Sequence, residues 1–141
     1  MDPRNETKLR GKIATAGEAA LSKTGYVTAI DALLATGWLM PENVTEWRRG
    51  HVPYLERVTM ASLPKISTAM RIFHRWARGR GLRPSQTAYV SWTRDRRPLR
   101  FSKSGTPNIE HAYSTHWLPP KRHDAGRTPA RNGMPESPTT R

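Results

Sequence analysis

The chain has 141 residues, 35% of them apolar, enough for one modest core. The absence of cysteine excludes disulfide frameworks and thiolate zinc sites. The net charge is +13, and 18 of the 24 basic residues are arginine, whose flat fork of donors matches phosphate, so binding to polyanions is expected at least non-specifically.

The N-terminal MDPRNETKLRGK lacks the apolar core of a signal peptide. Residues 5–22 carry Leu9, Ile13, Ala16, Ala20 and Leu21 at helical spacing, which predicts a first helix ending at Lys23-Thr24-Gly25. A second helix is predicted over 27–38, with Thr28 and Asp31 placed as a capping box. The stretch AIDALLATGWLM, 29–40, is the longest apolar one; it is too short to span a bilayer and carries Asp31. A cytoplasmic protein without a membrane partner is therefore expected. Residues 41–50, PENVTEWRRG, read as a short helix: Pro41 suits the first turn, Arg48 and Arg49 the negative end, and Gly50 the left-handed cap. Pro53 opens a further short helix through PYLERV.

Residues 62–79 carry the strongest helical pattern. Ile66, Ala69, Met70, Phe73, Trp76 and Ala77 form the apolar stripe, Ser62 stands at the cap, and Gly79 and Gly81 stop the helix. Residues 87–104, TAYVSWTRDRRPLRFSKS, alternate with period two around a polar turn, which predicts a β-hairpin. Its core face would hold Trp92 and Phe101, and its outer face Tyr89, Ser91, Arg100 and Ser102. A last helix is expected from Thr106-Pro107 through His116. From residue 119 onward proline, glycine, serine, threonine and charge dominate, which predicts a disordered basic tail over 119–141. The expected fold is thus mostly α: a single domain over 1–118, a small bundle of about five or six helices with one β-hairpin at about 87–104.

The charge is unevenly placed. Residues 1–47 are near neutral, whereas 48–103 hold 14 basic and 2 acidic side chains, a net of +12. Within that segment Arg71, Arg75 and Arg78 recur at i, i+4 and i+7, with Lys65 beside them, opposite the apolar stripe. Arg94, Arg96, Arg97 and Arg100 crowd the hairpin tip, with Lys103 close behind, and Arg48 and Arg49 end the short helix. These eleven residues are the candidate contacts for nucleic acid, with DNA favoured over RNA and a second copy of the chain as a further partner. A plain solvated face is the alternative for each cluster. All five tryptophans, Trp38, Trp47, Trp76, Trp92 and Trp117, are expected in the core.

The order of a short helix bundle, a basic helix and a basic hairpin resembles a winged helix-turn-helix. That likeness implies a regulator or accessory DNA-binder whose helix 62–79 enters the major groove while the hairpin touches the backbone. Residues 29–53 resemble the helix-turn-helix of Cro and phage-repressor proteins at Leu33, Gly37, Val44, Trp47 and Gly50. They depart from it in that Leu33 stands where a small residue is usual and Val44 falls one residue late. WRRGHVPYLERV and LRFSKSGTPNIEHAYSTHW resemble stretches of small bacterial proteins, a likeness that carries no function with it. The rival readings are an RNA-binding or ribosome-associated protein, and a module or inhibitor that meets an acidic protein.

No nucleophile, base and orienting group fall together, so neither catalysis nor a cofactor is expected. The enzyme alternative is a metal nuclease using Asp95, Glu110, His111 and His116, though His111 and His116 are five apart, not the four of a zinc helix. His74, beside Arg75, is expected at the surface or in contact with phosphate. The turn Ser102-Lys103-Ser104-Gly105 could cradle a phosphate but reads more simply as a plain turn.

Overall fold

A computed structural model of the chain describes residues 2–120. The predicted tail lies outside them from residue 121 on. Helix α1 runs Pro3–Thr24: the Asp2 carboxylate accepts from the Arg4 N–H at 2.8 Å, and Gly25 closes the helix with a left-handed φ of 88°. Helix α2, Ala29–Thr36, is shorter than the apolar pattern suggests. Its capping box forms, with the Asp31 N–H donating to Thr28 Oγ1 at 3.1 Å and the Thr28 N–H to Asp31 Oδ2 at 2.9 Å. Val27 stays outside because its backbone pairs with Trp117 in both directions, at 2.9 and 2.8 Å.

Helix α3 spans Pro41–Arg48, and Leu55–Val58 make one turn of 3-10 helix. Helix α4 spans Leu63–Gly79 with Ser62 as its cap, and it buries Ile66, Ala69, Met70, Ile72, Phe73 and Ala77. Strand β1 (Arg83–Gln86), helix α5 (Pro107–Tyr113) and strand β2 (Thr115–Leu118) complete the described chain. α5 ends before the expected His116 because residues 115–118 leave it to pair with β1.

The fold is mostly helical with one antiparallel strand pair, as the sequence pattern implies. The pair joins β1 to β2, with Arg83 opposite Leu118 and Gln86 opposite Thr115, so its strands flank the segment 87–104 rather than lie in it. Inside that segment only Val90 and Pro98 face each other as an isolated antiparallel bridge. The reason lies in the backbone bonds. The Arg97 N–H turns to the Ser91 hydroxyl at 3.0 Å; the Arg100 carbonyl accepts from Leu55 N–H and Trp47 Nε1, and the Phe101 carbonyl from Glu56 N–H. The ladder is thus limited to two bonds, from the Ser91 N–H to the Arg97 carbonyl and from the Leu99 N–H to the Tyr89 carbonyl, both at 2.8 Å.

The core joins Leu9 and Ile13 of α1, Ile30 and Leu33 of α2, the inner face of α4, and an aromatic cluster. Phe101 is the hub of that cluster. Its ring lies 4.9 Å from Trp47, 5.0 Å edge-on to Tyr89 and 5.1 Å in a parallel stack on Tyr113. α1 crosses α4 at Gly17, where an added Cβ would fall 2.7 Å from Cζ2 of the Trp76 indole. Among the described residues no helix is long and apolar enough to cross a membrane.

Candidate nucleic-acid interface

The arginine-rich loop is docked on the end of α3. The Trp92 N–H donates to the Arg48 carbonyl at 2.6 Å, and Arg97 Nη2 packs so close to Gly50 that a Cβ there would collide with it. Gly50 also holds a φ of 83°, so the chain needs glycine at this point after α3 for conformation. The loop tip is a turn in which the Arg96 N–H bonds the Thr93 carbonyl at 3.0 Å. Arg96 sits there with φ 48°, an uncommon conformation for a side chain of its size.

The period-two pattern is real, but the first arm has the opposite phase to the one expected. Ser91 is buried and Tyr89 packs on the core, whereas Trp92 is 60% exposed. The Ser91 hydroxyl accepts the Arg97 N–H, and Ser102, also buried, bonds Glu110 at 2.7 Å, so neither is an outer-face phosphate contact. Leu99 and Phe101 on the second arm do face inward. Of the other tryptophans, Trp47 and Trp117 are buried, and Trp38 and Trp76 pack against the core while partly exposed.

The candidate arginines fall into distinct states. The Arg48 guanidinium lies between two rings, 5.4 Å from the Tyr89 centroid and 5.1 Å from that of Trp92. Arg49 pairs with Glu46 at 3.2 Å, and Arg97 with Asp95 at 3.4 Å. Arg100 folds back on its own loop: Nε donates to the Ser102 carbonyl and Nη2 to that of Lys103, both at 3.0 Å, while the guanidinium lies 5.7 Å from the Tyr54 ring. Arg94 and Arg96 are exposed and, among the described residues, form no ion pair.

The α4 stripe forms a second patch. Arg71 reaches Glu6 only at 3.9 Å, Arg78 lies 5.8 Å over the Trp117 ring, and Lys65 and Arg75 are exposed without an ion pair among the described residues. β2 separates the two patches, since neighbouring strand residues point to opposite faces. His116 stacks on Tyr26 at 5.0 Å and meets the Tyr89 hydroxyl at 2.9 Å, toward Arg48. Trp117 faces His74 and Arg78 instead.

Burial pushes the Tyr89 hydroxyl up to about 12 and holds His116 below its ordinary range. His74 is half-buried rather than displayed; burial first and the Arg78 guanidinium second depress its proton affinity. It lines a cleft of about 470 Å³ with Arg78, Pro84, His111, Thr115 and Trp117. His74 Nε2 and Trp117 Nε1 are buried there without a hydrogen-bond partner among the described residues.

The groups of the alternative metal site are engaged apart from one another. Asp95 holds Thr93 and Arg97, and the Glu110 carboxylate accepts from the N–H groups of Phe101 and Ser102 at 2.9 and 2.8 Å. Among the described residues no three His, Asp or Glu side chains converge as a metal site. The turn Ser102–Gly105 is a plain one: Glu110 accepts from the Ser102 N–H and hydroxyl, Glu56 from the Lys103 N–H, and Ser102 Oγ from the Gly105 N–H. No protein family, curated protein or solved structure matches this chain.

Proposed function

We propose that this protein binds nucleic acid, DNA in the first place, through the loop 92–97 and the adjoining end of α3, with the outer face of α4 as a second contact. The observation that carries the reading is the loop tip itself: Arg94 and Arg96, exposed and without ion pairs among the described residues, stand beside an exposed tryptophan. Guanidinium groups displayed this way meet phosphate oxygens directly, and the +12 of residues 48–103 draws a polyanion to them. Arg48, Arg97 and the α4 residues Lys65 and Arg75 extend the contact, while Arg49 and Arg100 support the local fold.

The test is a titration of the full chain with duplex DNA, single-stranded DNA and structured RNA over a salt series. Duplex binding that weakens steeply from 50 to 200 mM salt supports the reading. Affinity for all three that stays flat with salt, or no binding at low salt, removes it. Tight binding to structured RNA alone would transfer the function to RNA.

A further inference from the structure

We infer that Trp92 is a stacking platform for an unpaired base, so that the strand read by the arginine loop is single-stranded. The inference rests on the nucleic-acid reading and makes it specific. A large apolar side chain left 60% exposed beside two arginines that lack ion pairs is not serving the core. The surrounding structure holds it in place nonetheless. Its own N–H is bonded to the Arg48 carbonyl at 2.6 Å, the next residue back is the buried Ser91, and the Val90–Pro98 bridge closes the loop behind it.

One face of the indole is also supplied with a partner. A chain of ring contacts rises from the core through Phe101, edge-on to Tyr89, then the Arg48 guanidinium over Tyr89 and over Trp92, each step between 5.0 and 5.4 Å. The guanidinium stacked on Trp92 leaves this chain of contacts ending at an exposed aromatic ring. A nucleobase continues it, since every base offers a π-face, and a ring already held in place loses little freedom on stacking. Arg94 and Arg96, two and four residues along the loop, then meet the phosphates of the same strand. Bases in an intact duplex are stacked on their own neighbours and cannot lie on the ring, so the preference is for single strands and for unpaired positions.

The experiment compares wild type, Trp92→Ala, Trp92→Phe and Arg94→Gln/Arg96→Gln by fluorescence anisotropy. The probes are a labelled 12-mer of single-stranded DNA, the same sequence as duplex, and the RNA equivalent, each titrated at the same series of salt concentrations. Trp92→Ala should weaken single-strand binding about ten- to a hundred-fold and leave duplex binding within about twofold. Trp92→Phe should keep most of the affinity, and the salt dependence of both should match wild type. The arginine pair should instead weaken every probe. RNA bound as tightly as the DNA strand would show that the platform ignores the sugar, and a preference for one would name the strand. Trp92→Ala binding single strands as wild type does, or losing strand and duplex equally, overturns the platform while leaving the nucleic-acid reading standing. Wild type binding none of the three would overturn both. A thermal melt of each variant shows that the fold is kept, as expected for a ring that lies outside the core.

Discussion

The loop arginines should differ in how they act on salt dependence, and their local partners say by how much. Arg94 and Arg96 have no ion pair among the described residues, whereas Arg97 already faces Asp95 at 3.4 Å and Arg100 donates to two backbone carbonyls. On duplex DNA each neutralised phosphate contributes about −0.9 to the slope of log K against log salt. Replacing Arg94 and Arg96 with glutamine should therefore reduce the slope by about 1.8. From 50 to 200 mM salt, wild-type affinity should fall roughly twelvefold more than that of the double variant. On single strands, where each phosphate contributes about −0.7, the difference shrinks to about 1.4. Arg97→Gln should shift the slope by less than one full contact, because Asp95 competes for the same guanidinium. Arg100→Gln should leave the slope alone and lower the melting temperature, since it unties the loop from residues 102 and 103. The assay is anisotropy at five or six salt concentrations per variant. Equal slope changes for Arg94, Arg97 and Arg100 would refute the reasoning, because they would mean that local pairing does not decide which arginines reach phosphate.

Three further outcomes concern the scaffold. Glu110→Ala removes an acceptor from two backbone N–H groups and a buried hydroxyl, and hydrogen bonds to a charged group contribute about 1.5–3 kcal/mol each, so urea unfolding should show a loss of about 3 kcal/mol or more; a loss under about 1 kcal/mol would contradict it. Gly17→Ala should destabilise by about 1 kcal/mol through overpacking on Trp76, whereas Gly11→Ala, with open space around it, should stabilise by a similar amount through helix propensity; equal effects at the two sites would exclude the steric account. Because burial and Arg78 depress the proton affinity of His74, and burial that of His116, the unfolded chain binds more protons below about pH 6.5. Stability should thus fall as pH drops from 6.5 toward 5, and His74→Gln should flatten the fall; identical pH profiles for variant and wild type would show that His74 does not contribute.

Much of the helical framework was legible because its signals are local. Thr28 and Asp31 form the capping box that their spacing implies, and Ser62 caps α4 as its position before Leu63-Pro64 suggests. The apolar stripe of α4 followed from its periodicity, apart from Ile72, buried outside the expected stripe, and Trp76, which stays partly exposed. What failed to show was decided at long range. β1 pairs with residues some thirty positions later, and Pro84 at its second position argues against a strand by local propensity alone. The phase of the first loop arm was equally hidden, because Tyr89-Val90-Ser91-Trp92 offers a bulky aromatic on either face. What decides it is the part-buried hydrogen bond between the Tyr89 hydroxyl and the His116 imidazole, together with Arg48 reaching over from α3. Charge clustering located the arginine loop; it could not say that Arg100 would fold back on its own loop or that Trp92 would stay outside.

The distribution of acidic groups sets the loop tip apart from Arg71 of α4. Nine acidic side chains fall within residues 2–120. Glu18 holds Arg80, Glu6 lies against Arg10 and Arg71, and Glu46 takes Arg49 and His51. Asp2 and Asp31 cap helices, Glu42 sits in the first turn of α3, and Glu110 fastens residues 101 and 102. Glu56 accepts from the Tyr113 hydroxyl at 2.8 Å and from the Lys103 N–H at 3.2 Å. Asp95 alone lies within the loop tip, and it takes Arg97. Acidic groups therefore temper the α4 surface at Arg71, and the neighbouring Arg80, while none of them reaches Arg94 or Arg96. Those two exposed charges, like Lys65 and Arg75 of α4, have no ion pair among the described residues. On the nucleic-acid reading we propose, a phosphate arriving at the loop tip would displace water rather than an existing ion pair.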